Sequence, residues 1–149
     1  MAPGGSVYLS DEQVREVSPT VLAYVGDAVW ELFVRTQLVA AARGIATAHD
    51  LHRAALRCVS ARGQSRLVQE LAHHLTPEEQ DLVRRGRNVR PHHAVHSSET
   101  GQYRHSTGFE TLLGHAYLTG RSERLDELLH MALEIVNEGC GDRREGSDG

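Results

Sequence analysis

Apolar positions along this 149-residue chain recur at three- and four-residue intervals rather than alternating, so the pattern predicts helices throughout. Residues 1–9 read as disordered. Ser10-Asp11-Glu12-Gln13 then reads as a helix start, with Ser10 as cap, Gln13 completing a capping box and an end near Ser18. Pro19 suits the first turn of a second helix to about Ala40, with Val21, Leu22, Val25, Val29, Leu32 and Phe33 at helical spacing. This helix is the longest and most apolar, and therefore the one expected in the core. Arg43-Gly44 breaks it, Ala46 or Thr47 opens a third helix through Val59, and Ser60 offers the cap for a fourth to about His74. Thr76-Pro77-Glu78-Glu79 combines a cap, a proline at the first helical position and an acid placed for a capping box, and that helix should stop near Gly86. Arg87 to Gln102 has little periodicity and reads as a long loop. Helix resumes at about Gln102 and runs to Leu118. Thr119-Gly120 turns the chain, and Ser122 caps a last helix with Leu125, Leu128, Leu129, Leu133 and Val136 as its apolar stripe. The tail from Gly139 is rich in Gly, Asp and Arg and reads as disordered.

These elements make an all-α chain of about seven helices, with one domain over residues 10–138 between a disordered start and a disordered tail at 139–149. Composition agrees, since only 5% of residues are aromatic and four are proline, a poor basis for a sandwich or barrel. No apolar run approaches the roughly 18 residues needed to span a bilayer, and the first residues lack a secretory pattern, so a cytoplasmic protein with no membrane partner is expected. Cys58 and Cys140 are the two cysteines, in no metal-binding spacing, and read as reduced thiols.

The net charge of −4 conceals an uneven distribution. All sixteen basic residues are arginine. From Arg35 to Arg66 six arginines face one acid, and from Arg84 to Arg104 five face one, so the rest of the chain is strongly acidic. Arginine's planar fork suits bidentate phosphate contact, and two basic segments in an acidic chain can form a phosphate-binding surface; equally, an arginine-only usage can reflect base composition and solvated faces.

Two segments carry the candidate chemistry: Tyr24-Val25-Gly26-Asp27-Ala28-Val29-Trp30-Glu31 and Gly108-Phe109-Glu110-Thr111-Leu112-Leu113-Gly114. Each places a carboxylate among apolar residues beside glycine, a poor helix former that costs about 1 kcal/mol against alanine. Asp27 and Glu110, 83 positions apart, are thus candidates to meet at one divalent metal. The plainer alternative is that Gly26 and Gly114 let helices pack closely while the two acids cap, pair or face water. Glu31, one turn after Asp27, is a further candidate metal ligand, or an orienting group, or the partner of an arginine on a neighbouring helix.

These blocks, with Leu51-His52, Val59-Ser60-Ala61, Arg84-Arg85-Gly86-Arg87-Asn88 and Tyr103-Arg104-His105-Ser106-Thr107, occur in an order that closely resembles the Mini-ribonuclease III family, over about residues 10 to 138. The resemblance implies an all-α nuclease domain without a separate double-stranded-RNA-binding domain. It also implies a homodimer, Mg²⁺ dependence and cleavage of double-stranded RNA, with maturation of 23S ribosomal RNA precursor as the task and a ribosomal-protein helper as an open partner. Asp27 and Glu110 match the family's catalytic, metal-binding acids. Thr20, Ala23 and Thr107 stand where full-length ribonuclease III has further acids, so the site is reduced. Without a separate binding domain, the arginine- and histidine-rich stretch must grip RNA, and Arg84, Arg85, Arg87, Arg90, His92, His93 and Arg104 are the candidates. A metal site at His92 and His96 is a weaker rival, lacking a Cys or paired acid nearby. A catalytically silent RNA-binding or ribosome-assembly factor is the alternative function.

Overall fold

The computed structural model describes residues 7–58, 61–89 and 97–141, with side chains over 7–56, 66–89 and 107–138. Seven α-helices lie within them: α1 (Asp11–Arg15), α2 (Pro19–Ala42), α3 (Ala48–Cys58), α4 (Ala61–Leu71), α5 (Pro77–Arg87), α6 (Ser97–Leu118) and α7 (Ser122–Gly141), with a 3₁₀ turn at Ala72–His74 after α4. The described residues contain no strand, as expected of an all-α chain. No helix among them is long and apolar enough to cross a membrane.

The caps explain most of the boundaries. Ser10 Oγ accepts the Gln13 N–H at 3.1 Å while Gln13 Oε1 accepts the Ser10 N–H at 2.9 Å, and Thr76 and Glu79 repeat the arrangement at the start of α5. Ser18 Oγ accepts from Val21 N–H ahead of Pro19. Thr47 opens α3, its hydroxyl accepting the Asp50 N–H and donating to the Asp50 carboxylate at 2.7 Å. Arg43 (φ 49°) and Gly44 (φ 80°) turn left-handed and end α2, where glycine carries no steric cost.

Four boundaries differ from the reading by pattern, one of them the end of α7, which runs on to Gly141, past the Gly139 at which a disordered tail was expected. First, α1 stops at Arg15, because the Glu16 and Val17 N–H groups close tight i−3 bonds to Gln13 and Val14 instead of propagating the helix. Second, α6 begins at Ser97, five residues before Gln102: Ser97-Ser98-Glu99-Thr100 is polar throughout and gives no periodicity to read, while Glu99 favours a helix's first turn. Third, Ser122 is the first residue of α7 rather than its cap, and its hydroxyl reaches the Gly120 carbonyl at 3.5 Å. Ser60, read as a cap, lies outside the described residues. At the other end, Leu9 N–H donates to Leu118 O at 2.7 Å, and Tyr8 lies against Gly120.

The central helix is α6, not α2. From Thr107 to Ala116 every α6 residue except Glu110 is buried, whereas α2 buries Leu22, Ala23, Gly26, Trp30 and Val34 and leaves Val21, Tyr24, Leu32 and Val39 exposed. Small residues at Thr107, Gly108, Thr111, Gly114 and Ala116 let neighbours approach α6 from several sides. Trp30 meets Phe109 edge to face (5.3 Å) and Phe33 nearly parallel (6.0 Å), and Leu67, Leu71, Leu82, Leu112, Leu113 and Leu128 complete the core. Arg124 of α7 closes the far side. Its guanidinium donates to both Glu79 carboxylate oxygens (2.8 and 2.9 Å) and to His74 O (2.8 Å).

Candidate active site

The glycines around Asp27 and Glu110 are where main chain meets main chain. A Cβ on Gly26 would stand 1.8 Å from the Glu110 carbonyl oxygen, and one on Gly114 would stand 1.9 Å from that of Leu22. No other residue fits at either position without moving a helix. The α2–α6 crossing therefore has one register, in which Gly26 abuts Glu110 and Leu22 abuts Gly114. Asp27 follows Gly26 directly and is exposed; Glu110, half-buried, lies across the same crossing. The two carboxylate residues, remote in sequence, flank a single helix contact.

The register is held on the other side by α5. A Cβ on Gly86 would lie 2.8 Å from Gly108 Cα and 2.6 Å from Thr111 Oγ1, and one on Gly108 would lie 2.8 Å from Val83 O. Fully buried Thr111 places its hydroxyl 2.6 Å from Thr107 O and 3.1 Å from Pro19 O, which ties the turn bearing Glu110 to the start of α2. Arg87 runs alongside: its Cγ would lie 3.1 Å from a Cβ at Gly108, so its stem passes the segment leading to Glu110.

A model of the Ribonuclease III domain matches residues 20–121. A protein of Symbiobacterium thermophilum named Mini-ribonuclease 3 is 47% identical over 81% of this chain and 92% of its own length. A Thermoanaerobacter protein of the same name is 39% identical over 87% and 90% of the two chains. The chain belongs to the Mini-ribonuclease III family. A solved structure of a Fusobacterium nucleatum protein, 23% identical, superposes with a TM-score of 0.68 over 81% of this chain and 95% of that one, and shares the fold. Membership of the Mini-ribonuclease III family makes the chain an endoribonuclease of the ribonuclease III type.

Within this Mini-ribonuclease III the remaining candidates divide. Glu31 is half-buried and bonded at 3.0 Å to Arg35, one turn along its own helix rather than on a neighbouring one. Arg84 is exposed and paired with Asp81; Arg85 is half-buried. Arg90, His92, His93 and His96 and the side chain of Arg104 lie outside the described residues. Of the positions that carry extra acids in full-length ribonuclease III, Ala23 and Thr107 are buried and Thr20 is exposed. Pattern reading missed Gly86 as a contact residue, taking it as a helix stop. A glycine among the arginines in the last turn of α5 is a signal only when the opposing Gly108 is known.

The donor set suits a hard cation. Two carboxylates with waters are what Mg²⁺ takes from a protein, whereas a zinc site asks for His or Cys. Among the described residues no cluster of three or more His, Cys, Asp or Glu is placed to hold a metal, so Asp27 and Glu110 are the pair to consider.

Proposed function

We propose that this endoribonuclease cleaves double-stranded RNA in a Mg²⁺-dependent reaction, as a homodimer, in the maturation of 23S ribosomal RNA precursor. The observation that carries the reading is the Gly26–Glu110 main-chain contact, which sets Asp27 and Glu110 at one crossing with no side chain between the helices. Asp27 and Glu110 would hold the ion, which when bound neutralises charge developing on the phosphodiester and lowers the pKa of water. The residues themselves contribute placement. The glycine contacts fix the main chain bearing Asp27 relative to that bearing Glu110, Thr111 anchors the Glu110 turn, and the substrate would enter from the exposed Asp27 side.

RNA is gripped at the basic end of α5. Arg84 and Arg87 are exposed there, Arg87 beside Gly108, and the sequence candidates Arg90, His92, His93 and Arg104 would add to the grip. Contact with phosphates and 2′-hydroxyls demands little sequence and makes binding salt-dependent. The dimer reading rests on α2. Val21, Tyr24, Ala28, Leu32 and Val39 are exposed on one helical face bordering Asp27, and Tyr24 is 81% exposed. A second copy covering that face puts two sites in one particle, one per RNA strand. The 23S substrate, the cytoplasmic setting and a ribosomal-protein helper follow the family.

The test is incubation of purified protein with an end-labelled RNA duplex, with Mg²⁺ or with EDTA, resolved on a denaturing gel. Discrete Mg²⁺-dependent cuts are expected, reduced by about 10²-fold or more in Asp27→Asn and Glu110→Gln with folding intact. Wild-type turnover by Asp27→Asn would overturn the assignment. Binding without cutting by the wild type would support a silent scaffold instead.

A further inference from the structure

Beneath α1 lies a cavity of about 420 Å³ that shares only Arg85 with the residues of the nuclease reading. Its floor is apolar, from Val14, Leu22 and Leu82, and its rim carries Arg15, Arg85 and Arg121 among three carboxylates. The carboxylates are already engaged. Asp11 and Glu78 lie 3.4 and 3.7 Å from Arg121, and Asp81 pairs with Arg84. Arg15 and Arg85 have no carboxylate partner among the described residues, so their guanidinium groups are available to a ligand in the space.

His115 completes the lining. It is only 7% exposed, yet its ring has no hydrogen-bond partner among the described residues; only its main-chain oxygen is used, by Thr119. Neither ring nitrogen is among the described side-chain atoms sealed from solvent without a partner, so the ring opens onto the cavity, where a group from outside the chain can reach it. Burial, then the nearby Arg121, hold the imidazole below its ordinary range, so it faces the cavity neutral and with one N–H to donate.

We propose that this cavity is a phosphate-binding pocket, in which Arg15 and Arg85 clamp the phosphate oxygens, His115 donates a third hydrogen bond and the leucine floor takes the apolar part of a nucleotide-sized ligand. Guanidinium forks match phosphate oxygens in pairs, and the volume falls in the range of small-molecule sites. Its position gives it consequence. Leu22 and His115 each stand five residues from Asp27 and Glu110 on the same two helices, whose main chains touch at Leu22 and Gly114. A ligand there braces the crossing that registers the two carboxylates. The phosphate comes either from a free nucleotide or from the RNA chain.

The experiment is calorimetric titration of the full chain in phosphate-free buffer with EDTA, using inorganic phosphate and adenosine 5′-monophosphate as probes. Saturable binding is expected, equal in Asp27→Asn and weakened about tenfold or more in Arg15→Gln and in His115→Gln. Arg15 is exposed on α1, so its substitution leaves the core alone and keeps the test readable if His115→Gln fails to fold. Absence of saturable binding, or binding unchanged in Arg15→Gln, would overturn the pocket. With metal absent and Asp27 neutralised, neither result depends on the nuclease reading. Displacement of bound adenosine 5′-monophosphate by an RNA duplex assigns the phosphate to RNA; simultaneous binding assigns it to a free nucleotide.

Discussion

The α2–α6 crossing and the α5–α7 junction hold one molecule together by opposite means. At the crossing, Gly26 and Gly114 remove every intervening side chain and main chain rests on main chain. At the junction a long side chain spans the gap, with the Arg124 fork closing on Glu79 and on His74 O. A guanidinium on four rotatable bonds absorbs small shifts; a carbonyl against a Cα has no rotamer to adjust. The chain therefore places its unyielding contact beside Asp27 and Glu110 and its compliant one where helices need only stay together.

The largest expected effect tests the unyielding contact. Gly26→Ala should cost about 3 kcal/mol or more, since the new Cβ meets a backbone oxygen that cannot step aside. Cleavage should fall with it. Urea unfolding measures the loss, and a variant as stable as wild type would break the comparison. Gly44→Ala is the matching control: with nothing within 4 Å but a φ of 80°, it should cost about 1 kcal/mol from strain alone.

Next comes the compliant contact. Glu79→Gln removes the charge that Arg124 binds and should lose about 2 kcal/mol. The Arg124 hydrogen bonds hold the Glu79 carboxyl below its ordinary 4.5 despite burial, so its contribution is full above that pH and lost as acid brings the folded group to protonation. In Glu79→Gln the acid limb of stability against pH should flatten there; an unchanged limb would assign the loss to other carboxylates. His115 acts at higher pH with the same sign. Its folded value lies below the ordinary 6.5, so the unfolded chain takes the proton first and stability falls as pH drops through 6.5. His115→Gln should remove that step in melting temperature, measured without phosphate.

Smaller effects sharpen the picture. Thr111→Val, which loses the hydroxyl bonding to Thr107 O or Pro19 O, should cost about 1 kcal/mol, with a visible drop in cleavage if Thr111 steadies Glu110. Glu31→Gln disrupts an exposed pair with Arg35 and should change stability by only a few tenths of a kcal/mol. Unchanged cleavage in that variant would leave Asp27 and Glu110 as the metal pair.

Local signals were the legible ones. Capping boxes at Ser10–Gln13 and Thr76–Glu79 mark helix starts because their hydrogen bonds close within four residues, and Pro19 marks one because its fixed φ suits the first turn, where no N–H is needed. The start of α6 was not legible, since Ser97-Ser98-Glu99-Thr100 has no apolar position to set a period. The reading of α2 as the core helix failed for a related reason. Apolar content is a property of a segment, whereas centrality depends on how closely neighbours approach, and the small residues of α6 allow the closer approach.

The sequence by itself determined the helical class, most helix starts, the basic segments and the two carboxylates with their glycines, all of which depend on neighbours in the chain. Only the tertiary structure decided that Gly26 meets Glu110, that Gly86 meets Gly108, that Glu31 turns to Arg35, and that Arg15, Arg85 and His115 share one cavity. Those are contacts between residues far apart in sequence or choices among side-chain partners, and they are settled by which helix faces can approach most closely.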